Sequence, residues 1–431
     1  MGIQNKTENV KEELTIGVKA VKSVNCFVPG RVCLIGEHSD WAGVHASPDH
    51  PEIKPGRCLA YGTPYGLYSK AELHFMESIP ATNILTGAEE SPILADDNDD
   101  NGIGFFCMSS VRPSGERLDT SLPLEVKLLR KCAVDGGFFA YVYGTIAVVL
   151  ERYEEKINNF LNSFHGSFKG TVKRAMITIE NKTDLPIGKG LSSSAAVCVT
   201  IARCFDSLFD IGMSIKEIMD VAFCGEILTG AECGRLDQCV AYGPNCCIDL
   251  HFHGSAIEVD TIPLPSTAIF YFVVADLGAK KDTKKILREL GSCFPNSEHD
   301  SVKSAVREFL GDISLDLVEQ ASAAMRRGDA EGLGAVFTEY QRLFDLHLIP
   351  ACDELQAPRL HTVLNDERVK ALSCGGKGVG SQGDGSVQLV CRNEAEQQQL
   401  IRVLEDYLNC KAMPFFLKGS EHLECQHLSM N

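Results

Sequence analysis

Ala175-Met-Ile-Thr-Ile-Glu180, Asn181-Lys-Thr-Asp-Leu-Pro186-Ile-Gly188-Lys189-Gly190 and Leu191-Ser192-Ser193-Ser194-Ala195-Ala196 follow one another without a break. The first block alternates as a half-buried strand does, and the second holds the proline and glycines of a turn. The third, continued to Leu208, spaces small and apolar residues as a helix does. Strand, glycine loop and helix N-terminus in that order gather unpaired backbone N–H groups, the positive end of a helix dipole and three hydroxyls around one point. Such a loop is suited to phosphate. The same serines also fit a plainer role, capping a helix whose Ala195 and Ala196 pack closely. No Gly-Lys is followed by Ser or Thr at the Walker spacing, so the loop is not a P-loop.

Upstream, Asn25 to Ile35 reads as a strand running into Gly36-Glu37-His38-Ser39-Asp40-Trp41. Arg31 offers a cation for a transferring phosphoryl group, and Glu37, His38 and Asp40 offer hydrogen-bond partners for hydroxyls. Metal ligation by His38, Asp40 and His45 fits less well, since their spacing matches no common zinc pattern. Downstream, a helix over Ser214 to Gly230 ends near Glu226, and Asp237 follows eleven residues later. One such carboxylate can take the proton of an attacking hydroxyl while another holds magnesium, although Glu226 taken alone reads more readily as a residue of a solvated helix face. Ser373 to Gly383 contains GxGxxG, but it follows a helix and precedes a strand, the reverse of the dinucleotide fingerprint.

The 431 residues exceed what one core usually supports, which implies two domains. Helical patterns cluster in the second half, away from short strands, so the class is α+β with a boundary near residue 260. We expect a flexible leader over residues 1–24, an N-terminal domain over 25–260 and a C-terminal domain over 261–431. Ser47 to Tyr68 is rich in Pro and Gly, Leu122 to Arg130 reads as a strand, and the acidic run Glu89 to Asn101 as an exposed loop. A net charge of -17 disfavours nucleic acid and anionic membranes as partners. The 18 cysteines lack paired CxxC modules, no stretch reaches the length of a membrane span, and the chain reads as cytoplasmic with free thiols.

Taken in order, these motifs resemble the GHMP kinases, the superfamily of galactokinase, homoserine kinase, mevalonate kinase and phosphomevalonate kinase. Pro186 to Ala196 is similar to the family's phosphate loop, and Gly375 to Gly380 to its C-terminal glycine motif. Pro29-Gly-Arg31 followed by Leu-Ile-Gly-Glu37-His38-Ser39-Asp40-Trp41 is similar to the galactokinase signature, in which Thr and Tyr stand at the places of Ser39 and Trp41. The resemblance implies a two-domain fold, with a ribosomal protein S5 domain 2-like N-terminal domain and a ferredoxin-like C-terminal domain closing over ATP. It also implies that Pro186, Gly188, Lys189, Gly190, Leu191, Ser192, Ser193 and Ser194 bind ATP and that Ser194 and Glu226 hold Mg2+. Glu37, His38 and Asp40 would bind the sugar, with Asp237 and Arg31 catalytic.

The sequence departs from that pattern at Lys377, where glycine is common, and between Val274 and Lys284, which has no galactokinase counterpart. The step from Glu226 to Asp237 looks more like mevalonate kinase. The function implied is phosphorylation of a small sugar or polyol by a monomer or homodimer. A mevalonate-type kinase and a catalytically silent sensor are the alternatives.

Overall fold

A computed structural model describes residues 20–76, 103–112, 114–163, 174–185, 191–231, 233–295 and 300–419. The acidic run 89–101 and the loop residues Pro186, Gly188, Lys189 and Gly190 lie outside the described residues. Residues 20–24, expected within a flexible leader, instead belong to strand β1 (Ala20–Ile35), where Ala20 pairs with His74 and Val24 with Ala71. Val24 is buried, so the apolar face of the strand extends further than the sequence pattern suggested.

Strand β2 (Gly56–Met76) organises the N-terminal part. One edge pairs antiparallel with β1 along most of its length. The other edge is shared, first by β6 (Cys247–His253), against Gly56 to Tyr61, and then by β5 (Arg174–Thr183), against Leu67 to Met76. Gly62 and Gly66 flank the changeover, and a Cβ on either would overlap a carbonyl oxygen of a crossing segment. The glycines of this Pro- and Gly-rich stretch are therefore what lets the strand pass between its partners. Strand β3 (Gly104–Val111) runs parallel to β5, while β4 (Arg117–Pro123) and β7 (Ala256–Thr261) extend the two flanks. The resulting seven-stranded sheet has the order β4-β3-β5-β2-β6-β7, with β1 paired to β2 off this path.

After the short helix α1 (Ser39–Ala42), helix α2 (Val126–Asp135) corrects the strand expected over Leu122 to Arg130. Leu129 and Ala133 are both fully buried, one helical turn apart, and β4 has already ended at Pro123. Helices α3 (Ala140–Ser163), α4 (Ser193–Phe209) and α5 (Ile215–Ile227) pack on one another. Gly225 of α5 lies against Thr145 of α3 so closely that a Cβ there would stand 2.5 Å from the threonine hydroxyl. That approach draws the next residue, Glu226, into the interior at 3% exposure.

The C-terminal part is a four-stranded antiparallel sheet of β8 (Ile269–Asp276), β9 (Gly375–Gly378), β10 (Ser386–Cys391) and β11 (Lys411–Lys418), in the order β11-β8-β10-β9. Helix α6 (Thr283–Gly291) follows β8, and the long helices α8 (Ser314–Arg327) and α9 (Ala330–Leu348) come after the short α7 (Ser301–Glu308). One apolar core runs through both sheets, with Tyr61 of β2 stacked on Phe415 of β11 at 5.6 Å and Phe415 on Phe272 at 5.0 Å. A smaller core lies around Val273, Leu360, Leu389 and Leu400. The chain thus has the α+β architecture expected. Among the described residues the cysteines are free thiols, and no helix is long and apolar enough to cross a membrane.

Candidate active site

The end of β1 turns sharply at Gly36, whose φ of +94 and contact with the backbone of Arg57 and Cys58 leave no room for a side chain. His38 follows in the left-handed region, with φ 67, and opens α1. Glu37, His38 and Asp40 are thereby folded back into the protein, at 1%, 5% and 8% exposure.

Asp40 meets the loop that precedes Asp237, accepting a hydrogen bond from the backbone N–H of Leu236 at 3.3 Å. Arg31, on β1, donates to Asp237 from Nε at 3.1 Å and also from Nη2. Burial and the nearby Asp237 charge push the Asp40 carboxyl up to about 6. Glu226 accepts from Gln238 Nε2 at 3.0 Å and is also bonded by the Ser194 hydroxyl. Its pKa is pushed up to about 7, first by burial and then by Asp237. Three carboxylates and one guanidinium thus share a small volume, and Asp237, with a 26% exposed side chain, is the acid open to a substrate.

The charge balance suits a divalent cation. A buried carboxylate that is destabilised by its neighbour and already held by a serine hydroxyl offers the hard oxygen ligands that Mg2+ takes. Ser194 and Glu226 are the residues that would hold it. Their electrostatics give a test. Glu226 is an acid whose folded pKa lies above its unfolded value, so its stability contribution falls as pH rises from about 4.5 to about 7. Asp40 behaves alike between about 3.8 and 6, whereas His38, lowered by burial to about 4, loses stability as pH falls below about 6.5. These last two slopes oppose each other, which leaves Glu226 as the clean signal. Glu226→Gln is expected to stabilise the metal-free protein by about 1–3 kcal/mol more at pH 8 than at pH 5. Thermal melts across that range check it, and an equal effect at both pH values would show that Glu226 does not titrate there.

Of the loop residues named from the sequence, Leu191 is buried and its carbonyl accepts the backbone N–H of Arg31 at 3.1 Å. Ser192 has left-handed φ and ψ of 57 and 46 and a buried hydroxyl without a hydrogen-bond partner. Ser193 opens α4, and Ser194 lies in its first turn. The helix N-terminus therefore stands beside the strand that carries Arg31.

Two lysines complete the cleft, and neither was among the sequence candidates. Lys377, on β9, is fully buried and pairs with Glu37 Oε1, donates to the Gly378 carbonyl at 2.9 Å, and lies over the rings of Phe337 and Tyr340. Glu37 Oε2 is buried and has no hydrogen-bond partner. Lys281 donates to the Gln382 carbonyl at 3.0 Å. Its only sequence signal was its place in a segment without a galactokinase counterpart. His38 Nδ1 accepts from the Trp41 indole at 3.0 Å, so the neutral ring carries its proton on Nε2. His38 is thus a donor where an acceptor was equally open, and His45 stacks on Phe294 instead of joining it as a metal ligand.

The "GHMP kinases N terminal domain" family matches residues 140–243, a range that includes the glycine-containing segment 186–190, Glu226 and Asp237. A galactokinase of Thermotoga maritima is 24% identical over 224 residues. That match covers 46% of this chain and 63% of the relative, so it spans under two thirds of the relative's length. The fold is similar to that of Lactococcus lactis galactokinase complexed with galactose, with a TM-score of 0.61 at 15% identity, covering 97% of this chain and 100% of that one. It is also similar to L. major mevalonate kinase in complex with R-mevalonate, with a TM-score of 0.57 at 15% identity and coverage of 94% and 99%.

Proposed function

We propose that the chain, whose sequence and fold are similar to those of GHMP kinases and of galactokinases among them, transfers the γ-phosphoryl group of ATP to a hydroxyl of a monosaccharide or related polyol. The observation that carries this reading is the Arg31–Asp237 pair, set beside Asp40 and Glu226 at the N-terminus of α4. Asp237 faces the acceptor hydroxyl and accepts its proton. The hydroxyl oxygen then bonds to the γ-phosphorus while the bond to the bridging oxygen of ADP breaks. Arg31 stabilises the charge that develops on the transferring group, and its hold on Asp237 keeps that carboxylate aimed. Ser194 and Glu226 would hold magnesium, which would supply neutralisation of the phosphate charge. Glu37 Oε2, His38 Nε2 and Asp40 orient the acceptor, which supplies most of the catalysis through positioning. The free thiols agree with a reducing, cytoplasmic setting.

The test is ADP release by the purified protein with ATP and magnesium, against monosaccharides, uronic acids, inositols and mevalonate. We expect turnover with a member of the sugar or polyol groups. Turnover with mevalonate alone would replace the sugar reading with the mevalonate-type one, and ATP binding without any turnover would favour a silent sensor.

A further inference from the structure

The segment joining β8 to α6 brings Lys281 to the backbone of Gln382, next to Ser381, with which His38 is hydrogen-bonded. Asp282 fixes its end by capping α6, accepting from the Lys285 N–H at 2.9 Å, and Thr283 bonds the Ser381 hydroxyl at 3.2 Å. The lysine side chain lies along Gly385, where a Cβ would stand 2.7 Å from Nζ, and its ammonium is held by the Gln382 carbonyl. It is a placed group, not a surface lysine in free rotation.

Its surroundings leave its charge unmatched. Lys281 acts electrostatically on Arg31, Glu37 and His38. Arg31 is already paired with Asp237 and Glu37 with Lys377, and among the described residues Lys281 makes no ion pair. Burial, aided by the Arg31 charge, lowers its pKa to about 8. Close by, Glu37 Oε2 is buried without a hydrogen-bond partner, and His38 meets the backbone of Ser381, next to the Gln382 that holds Lys281. A cavity of about 500 Å³ opens beside it, lined by Lys280, Lys281, Thr283 and Lys284 together with Asp282 and Glu354. Both acids there are engaged with backbone N–H groups, Asp282 with Lys285 and Glu354 with Asp282. Three lysines against two carboxylates leave this mouth a net charge of about +1 in a chain of net charge -17.

We infer that Lys281 determines acceptor specificity by binding a carboxylate on the sugar, so that the substrate class is an acidic monosaccharide such as a uronic acid. This rests on the kinase reading above. The γ-phosphoryl group is the competing anion, because Lys281 also acts on Arg31, and the KM for ATP of the Lys281 variants separates the two. An ammonium–carboxylate hydrogen bond in such a site changes affinity by about 10- to 100-fold.

The test compares each hexose with its uronic acid, using the full chain and its Lys281→Met and Lys281→Arg variants. Both acceptor turnover and direct calorimetric binding are measured, so the inference is tested even if no acceptor turns over. Wild type is expected to favour the acid by at least about 10-fold in KM or Kd. Lys281→Met should abolish that preference while changing the KM for ATP by less than about threefold, and Lys281→Arg should restore part of it. Equal affinity of wild type for acid and neutral sugar overturns the inference. So does a Lys281→Met variant that loses ATP affinity, or kcat with every acceptor alike, since the lysine would then serve the phosphoryl group. Binding of acids that depends on Lys281, in the absence of turnover, would uphold the subsite and overturn the kinase reading instead.

Discussion

Asp237→Asn is expected to lower kcat by about 10²- to 10⁴-fold with ATP affinity retained. The substitution keeps the size of the side chain and an oxygen that can still accept from Arg31, so the local fold has little reason to change. It removes the negative charge and with it the capacity to take the acceptor's proton. A second consequence is particular to this site. Asp237 is one of the causes that raise the carboxyls of Glu226 and Asp40, so the variant should bring both back toward ordinary values. Steady-state kinetics with nucleotide binding measured separately check the first effect, and the pH dependence of stability checks the second. Near-normal kcat would remove Asp237 from its assigned role.

Lys377→Met carries the largest expected effect on stability. The lysine and Glu37 have side-chain exposures of 0% and 1%, and their contact joins the turn after β1 to the C-terminal sheet. Breaking a buried pair from one side strands the other charge, which typically costs about 3–5 kcal/mol. The aromatic faces of Phe337 and Tyr340, at 5.6 and 5.5 Å, would receive a thioether without difficulty, so the loss should come from Glu37 and not from poor packing. The control follows directly: adding Glu37→Gln to Lys377→Met should recover most of the stability, because no charge then remains unpaired. Denaturation midpoints of the two single variants and the double variant give the coupling. A single-variant loss below about 1 kcal/mol would mean that the pair is not buried as described.

What the sequence disclosed about this protein, and what it withheld, follows from the range over which each signal acts. The unit from Ala175 to Leu208 was legible because strand alternation, turn residues and helical spacing are local, and β5 and α4 lie where those patterns placed them. Strand β2 was hidden because Gly62 and Gly66 serve contacts with Gly243 and Val28, which are distant in sequence or on another strand. A short apolar run such as Leu122 to Leu129 does not by itself distinguish strand from helix, and there the helix prevailed.

The same limit governed the site. Arg31 and Asp237 are 206 residues apart in sequence, and only their place in recognisable motifs suggested that they meet. Glu226, which taken alone reads more readily as a solvated helix residue, is buried through the close approach of Gly225 to α3. Lys377 sat in a glycine run that looked like a loop, and the backbone proximity those glycines allow is what seals it from water. No spacing rule could have linked it to Glu37.

The account's central claim is tested most directly by identifying the phosphorylated product. Phosphorus NMR of the protein incubated with ATP, magnesium and the sugar and polyol panel should show a sugar phosphate monoester growing in step with ADP in wild type and absent with Asp237→Asn. ADP accompanied only by inorganic phosphate, or a phosphate ester formed from mevalonate alone, would contradict it.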